Sequence, residues 1–290
     1  MNASIAHFNG RLMPVDDIRI SPLDRGFIFG DGVYEVIPVY NGVPLHAREH
    51  FERLLRSMDE IQLRNPHTVD EWTHLTAELL KHHPGNQSVY IQVTRGAPQK
   101  RDHAIPKDLQ PTVFMMCYPL ASPSKDAIEK GVSCVTAPDF RWEKCHIKST
   151  SLLGNVLARQ ISVDAGATET ILLRDGHVTE ASASNVFVVK NAVVLASPKD
   201  HSILLGITYQ LLEKLAGQGH LKLEVRPVTE AELRGADEVW LSSSTKEVLA
   251  VTTIDGKPVG DGKPGPLFRK MHALYQDYKA RLAKANPVAA

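Results

Sequence analysis

Residues 141–159 read RWEKCHIKSTSLLGNVLAR. A short segment of β character ends at Ile147 and Lys148, three hydroxyl residues follow, and the apolar spacing then predicts a helix over 151–165. Each of Ser149, Thr150 and Ser151 could cap that helix. Lys148 therefore stands at a β-to-helix junction, with Ile147, Leu152 and Leu153 nearby. Apolar neighbours desolvate an ammonium, and a desolvated lysine suits Schiff-base chemistry. Taken by itself, though, a lysine is most often an exposed side chain.

Outward from this junction the chain keeps switching period. On its C-terminal side, strands are predicted at 132–136, 170–173, 185–189 and 238–242, and helices at 208–216 and 265–283. Hairpin turns are expected at Asp175-Gly176 and Asp255-Gly256. On its N-terminal side, the first forty-five residues read as β structure, with a hairpin at Asn9-Gly10 and a β-rich run over 33–40. Ala47, Phe51, Leu54, Leu55, Met58 and Ile61 then recur at helical spacing. A second helix is predicted over 69–82, and strands over 88–95 and 112–118. The class is α+β, or mixed α/β. Pro119 to Ser124 is rich in proline and serine and reads as a linker. The expected domains are residues 1–118 and 126–290, joined by 119–125.

The 290 residues are enough for about two domains. With 43% hydrophobic and 23% charged residues, the composition is that of an ordinary globular protein. Lys plus Arg and Asp plus Glu both total 33, so the basic excess of a nucleic-acid-binding protein is missing. Cys117, Cys134 and Cys145 lack C-x-x-C spacing, which points to reduced thiols and a cytoplasmic protein rather than a disulfide framework or zinc site. No signal peptide and no membrane-spanning run is visible, so no membrane is expected, and His82-His83 beside Pro84-Gly85, without a carboxylate at ligand spacing, reads as a solvated helix end rather than a metal site.

Several short matches carry no chemistry. Gly260, Gly262 and Gly265 fit G-x-G-x-x-G, but only one helix remains beyond them and no second strand can follow, so they read as a turn into that helix. Ser122 to Lys125 and Ser243 to Lys246 fit S-x-x-K without the companion S-D-N and K-T-G strings. Glu180 stands among Ala181, Ser182, Ala183 and Ser184, small neighbours that allow a flat ligand to approach closely. Alone it is an unremarkable turn carboxylate.

Taken together, seven blocks in order resemble the class IV (fold-type IV) pyridoxal-phosphate aminotransferases, and among them the D-amino-acid aminotransferases. They are RGFIFGDGVYEV (25–36), HFERLLRS (50–57), RDHAIP (101–106), the Lys148 stretch, TEASASNVF (179–187), LGIT (205–208), and SSSTKEV with DGKPVGDGKPGP (242–266). The resemblance covers nearly the whole chain. It implies a smaller N-terminal and a larger C-terminal domain, pyridoxal 5'-phosphate in the cleft between them, and a working homodimer.

By the same resemblance, Lys148 matches the lysine that binds the cofactor covalently, and Glu180 the carboxylate beside the pyridine nitrogen. Arg53 matches the phosphate-binding arginine, although helical spacing puts it off the apolar stripe with Glu49 as an i, i+4 partner. Ile207 and Thr208 open a helix whose N-terminus would hold the same phosphate, and Ser244 or Thr245 could add a hydroxyl. Tyr34, Arg101 and His103 match the residues that hold the substrate carboxylate, the last two supplied by the partner subunit. The chain departs from the family pattern at Gly96–Lys100, about a residue longer than expected, and at His146, where an aspartate is common.

The implied reaction moves an amino group between D-amino acids and 2-oxo acids. Rival readings are an aminodeoxychorismate lyase, a branched-chain L-amino-acid aminotransferase, or a non-catalytic protein that binds the cofactor.

Overall fold

The computed structural model describes residues 4–285. They group into two compact units. One holds the described residues through Leu120, the segment Ile147–Leu152 and the described residues from Leu282 on, and the other holds Ala121–His146 and Leu153–Arg281. The six-residue stretch that carries Lys148 is therefore grouped with the N-terminal residues, although it is flanked on both sides by chain of the other unit.

In the first unit the elements run β1 (Ile5–Phe8), β2 (Arg11–Pro14), α1 (Arg25–Phe29), β3 (Gly32–Tyr40), β4 (Val43–Pro44), α2 (Ala47–Glu60), α3 (Val69–Leu80), β5 (Gln87–Thr94) and β6 (Thr112–Pro119). The strands form an antiparallel sheet in the order β2-β1-β6-β5-β3-β4. Alternate residues of β3 and β5, such as Val33, Ile37, Val89 and Ile91, meet Phe51 and Leu54 of α2 in the core. Asn9 and Gly10 both take positive φ, as the predicted hairpin requires.

The all-β reading of the first forty-five residues is corrected at α1. Phe27, Ile28 and Phe29, strand formers by type, are turned into a helix by signals at its ends. The Asp24 carboxylate accepts from Gly26 N at 2.8 Å, and Gly30 closes the turn at φ +65°.

The second unit runs α4 (Lys125–Lys130), β7 (Val132–Pro138), α5 (Leu153–Asp164), β8 (Glu169–Arg174), β9 (His177–Ala181), β10 (Asn185–Lys190), β11 (Val193–Ala196), α6 (Ile207–Gln218), β12 (Leu223–Val225), α7 (Glu230–Arg234), β13 (Glu238–Ser243), β14 (Glu247–Ile254), β15 (Lys257–Pro258) and α8 (Pro266–Ala285). Its mixed sheet has the order β12-β11-β10-β13-β14-β7-β8-β9, with β15 paired to β14. The fold is α+β. Gly260 and Gly262 form a positive-φ turn ahead of α8, whose first N–H groups, Leu267 and Phe268, donate to the Glu238 carboxylate at 2.9 and 2.8 Å.

Among the described residues, no helix is long and apolar enough to cross a membrane, and no group of three or more His, Cys, Asp or Glu side chains is placed to hold a metal ion. The three cysteines are buried free thiols.

Candidate active site

In the first unit, the backbone around Lys148 is fixed before its amine comes into play. Ile147 is buried in the same core as Val33 and Val93, which contributes about 1.5–3 kcal/mol of anchoring. Tyr34 N donates to Lys148 O at 2.9 Å, Thr150 N to Gly32 O at 2.9 Å, and Lys148 N to Ser57 Oγ at 3.2 Å. Ser149 forms an antiparallel bridge with Val33, so the segment lies along the free edge of the first residues of β3. The hydroxyls of Thr150 and Ser151, expected to cap α5, instead donate to Gly30 O at 2.9 and 3.0 Å and join the segment to α1. Lys148 Nζ lies 4.3 Å from the centre of the Tyr34 ring. Two of the sequence-predicted residues are thus brought together.

Arg53 is placed differently from its helical spacing. Its side chain is buried, and Glu49 pairs with His46 at 2.8 Å instead. Arg53 Nε and Nη2 donate to the two Glu35 oxygens at 2.6 and 2.8 Å, and His50 Nδ1 meets Glu35 Oε2 at 2.7 Å. Glu35 points from β3 at α2 and supplies the counter-charge that lets an arginine enter the core. Burial, the largest single influence, opposes ionisation of Glu35, but the charge and hydrogen bonds of Arg53 together with the His50 contact outweigh it and hold the carboxyl far below its usual range. Burial pushes the His50 pKa down, so the imidazole is neutral and its Nδ1–H donates to that carboxylate.

Arg101 and His103 lie exposed in the loop between β5 and β6. Both reach Phe29 of α1. The Arg101 guanidinium sits 4.9 Å from the ring centre, and the His103 ring 5.0 Å from it.

In the second unit, Glu180 is the penultimate residue of β9, with both oxygens engaged. Oε1 accepts from Arg141 Nη1 at 2.5 Å, and Oε2 from Leu204 N at 3.1 Å and Asn185 Nδ2 at 3.3 Å. Burial pushes its carboxyl up to about 7, against the opposing Arg141 charge. Arg141 is shared with Asp139, which takes Nε and Nη2 at 2.9 Å each, so only part of its charge serves Glu180.

Asn185 also donates to Leu204 O at 2.8 Å, and its Oδ1 would meet a Cβ at Gly206 at 2.4 Å. Gly206 is the N-cap of α6, and the bond from Gln210 N to Gly206 O is 3.1 Å. The N–H groups of Ile207 and Thr208 precede that bond, at the positive end of a helix with no side-chain cap. Ser244 and Thr245 lie half-buried in the turn between β13 and β14. The next residue, Lys246, pairs with the buried Glu169 at 2.7 Å. Glu169 also accepts from Ser182 Oγ, Ala183 N and Ser184 Oγ at 3.0, 2.8 and 2.5 Å.

Sequence reasoning did not single out Glu35, His50, Arg141, Asn185 or Glu169. The one available signal was a charged residue inside an apolar strand, as for Glu35 in VYEVIPVY.

Each unit by itself holds groups whose chemistry fits pyridoxal 5'-phosphate: in the first, a lysine amine over an aromatic ring; in the second, a buried carboxyl with a pKa near neutrality and a helix N-terminus open to an anion. The family model described as amino-transferase class IV matches residues 32–254. Similar sequences include the D-alanine aminotransferase of Bacillus licheniformis, 42% identical over 93% of this chain and 95% of that one. The D-alanine aminotransferase of Staphylococcus epidermidis is 38% identical over 93% and 96%. Among solved structures, the chain resembles the branched-chain amino acid aminotransferase of Escherichia coli (TM-score 0.86, 23% identity, 93% of each chain). It also resembles the branched-chain aminotransferase of the archaeon Thermoproteus uzoniensis, solved with norvaline (TM-score 0.87, 23% identity, 99% and 97%). A further branched-chain enzyme of this likeness was solved with pyridoxamine 5'-phosphate (TM-score 0.88, 24% identity, 99% and 96%). At such identities the structural likeness speaks for the fold alone.

Proposed function

Because this chain belongs to the class IV aminotransferases, we propose that it is a pyridoxal-phosphate-dependent D-amino-acid:2-oxo-acid aminotransferase. It would carry the amino group of a D-amino acid such as D-alanine to 2-oxoglutarate. The observation that carries the substrate class is the 42% identity to a D-alanine aminotransferase across nearly the full length of both chains. Arg101 and His103, gathered on one aromatic ring, support it.

When bound, pyridoxal 5'-phosphate supplies a carbonyl that takes up the amine and a ring that accepts the electron pair left as the α-proton departs. Lys148 holds the cofactor and moves the proton at the substrate α-carbon. Glu180 holds a proton at the ring nitrogen, a task suited to a carboxyl near neutrality, and Arg141, Asn185 and Leu204 N orient it. Ile207 and Thr208 N–H groups bind the phosphate, with Arg53 adding charge and Ser244 or Thr245 a hydroxyl.

Tyr34, Arg101 and His103 hold the substrate carboxylate. With that group and the nitrogen both fixed, the enantiomers exchange α-hydrogen and side chain. Only one of them turns its hydrogen toward Lys148.

In this reading the working unit is a homodimer in which Arg101 and His103 serve the partner's site. Leu153, Val156 and Leu157 of α5 are 71%, 59% and 51% exposed, an apolar stripe suited to a second copy of the chain. Three buried thiols suit a cytoplasmic protein.

The cofactor-loaded protein should convert D-alanine and 2-oxoglutarate to pyruvate and D-glutamate, faster than it uses L-leucine or L-valine. A preference for the L-amino acids would replace this reading with the branched-chain one. Pyruvate released from aminodeoxychorismate without amine transfer would make it a lyase. A cofactor spectrum that no amine changes would leave a binding protein.

A further inference from the structure

The loop of residues 95–111, between β5 and β6, has no secondary structure of its own. A loop of that length in a compact unit is uncommon unless it is functional or disordered. Here it is tied at three places to one short element. At its start, Arg25 N donates to Gly96 O at 2.9 Å. At its end, Thr112 Oγ1 donates to the Asp24 carboxylate at 2.7 Å. In its middle, the Arg25 guanidinium donates to three consecutive carbonyls: Asp102 O at 2.5 Å, His103 O at 3.2 Å and Ala104 O at 3.3 Å.

Arg25 is itself buried and held, since its Nε donates to Asp31 Oδ2 at 2.7 Å. Asp31 also accepts from Arg95 Nε and Nη2 at 2.7 and 2.8 Å, and Arg95 grips the carbonyls of Ile61 and Gln62 at the end of α2. The line Arg95–Asp31–Arg25 thus joins the loop backbone to the sheet and to α2. One turn along α1, Phe29 meets the two side chains the loop carries, Arg101 and His103, at 4.9 and 5.0 Å. The Arg25 guanidinium lies 4.9 Å from the same ring. Backbone and side chains of the loop are therefore set by a single helix turn.

Resting on the reading of Arg101 and His103 as carboxylate binders, we infer that Arg25 and Phe29 are positioning residues for the substrate carboxylate: Arg25 fixes the loop backbone, and Phe29 fixes the directions of Arg101 and His103. Neither touches substrate. They act because a charge-assisted contact discriminates only if its donors are already in place.

The test uses cofactor-loaded Phe29→Leu, Arg25→Lys and Arg101→Ala enzymes with D-alanine. For Phe29→Leu and Arg25→Lys, KM should rise about tenfold or more while kcat stays within about threefold, since both variants weaken binding of the carboxylate. Limited trypsin cleavage after Lys100 or Arg101 should accelerate in Arg25→Lys, a change that altered surface charge by itself would not produce. If Arg25→Lys does not fold, Phe29→Leu carries the kinetic test alone. A raised KM in Arg101→Ala with unchanged KM in the positioning variants would overturn the inference and leave the carboxylate reading standing. An unchanged KM in Arg101→Ala would overturn that reading and this inference with it.

Discussion

At Glu180 burial outweighs the opposing charge of Arg141. Removing the carboxyl from water raises its pKa, and the Arg141 contact at 2.5 Å lowers it, yet the result is still about 7 because Arg141 is divided between Glu180 and Asp139. The folded protein therefore keeps this proton in a range where the unfolded chain has already released it. By linkage, the stability gained is complete below about pH 4.5 and is lost as pH rises through about 7. For the cofactor-free protein, the shift is worth up to roughly 3 kcal/mol. Glu180→Gln cannot titrate, so its melting temperature should vary less than that of the parent between those two pH values, as a thermal scan at several pH values would reveal. With cofactor present, the same variant should retain the bound group but turn over on the order of a hundredfold more slowly, since a neutral amide cannot stabilise a protonated ring nitrogen. Near-normal turnover would contradict that role. Residues such as Lys148 and Glu180 stand out in the sequence because their neighbours form recognisable blocks. Arg141 does not, because its value lies in which carboxylates surround it after folding.

Between α2 and β3, Glu35, Arg53 and His50 form a buried polar cluster inside an otherwise apolar contact. Removing one member leaves the others uncompensated, so Glu35→Gln should cost about 3–5 kcal/mol in chemical denaturation at neutral pH. The Glu35 pKa is depressed, so the contribution of its charge is fully present above about 4.5 and fades as pH falls further. The gap between parent and variant should accordingly stay constant above that pH and narrow below it. A gap that is small or independent of pH would mean that the charge of Glu35 contributes little. The helical stripe of α2 is plain from Phe51, Leu54 and Met58, and periodicity then assigns Arg53 to solvent. Only the strand register, eighteen residues away in sequence, reveals Glu35 facing it. α1 was legible at its ends, in Asp24 and Gly30, rather than in its strand-like interior. β14 is buried at nearly every position, so no alternation marks it in the sequence.

Across the whole molecule, the proposed homodimer makes a prediction that no single chain can satisfy. At D-alanine concentrations well below the raised KM of Arg101→Ala, that variant and Lys148→Ala should each show little activity, yet mixing them should restore part of it. In some mixed dimers one site joins an intact Lys148 to an intact Arg101. No recovery, despite confirmed subunit exchange, would place both residues in the same chain's site. The class was legible at this scale because strand and helix periods alternate along the sequence, whereas the interior of α1 and the strand β14 were not. The grouping of Ile147–Leu152 with the N-terminal unit was not, since nothing in local pattern announces a pairing with Val33 more than a hundred residues earlier.

That pairing bears on how the protein is made. At the start of β3, Gly32 O accepts from Thr150 N and Tyr34 N donates to Lys148 O. On a ribosome adding roughly 5–20 residues per second, the strands of the first sheet are complete a few seconds before those partners emerge. Throughout that interval the nascent chain displays a bare stretch of sheet edge, the kind of surface that recruits strands from neighbouring chains. The segment that carries Lys148 is thus also the piece that closes this gap. Until those six residues arrive, the first sheet keeps an edge open to strands from other chains.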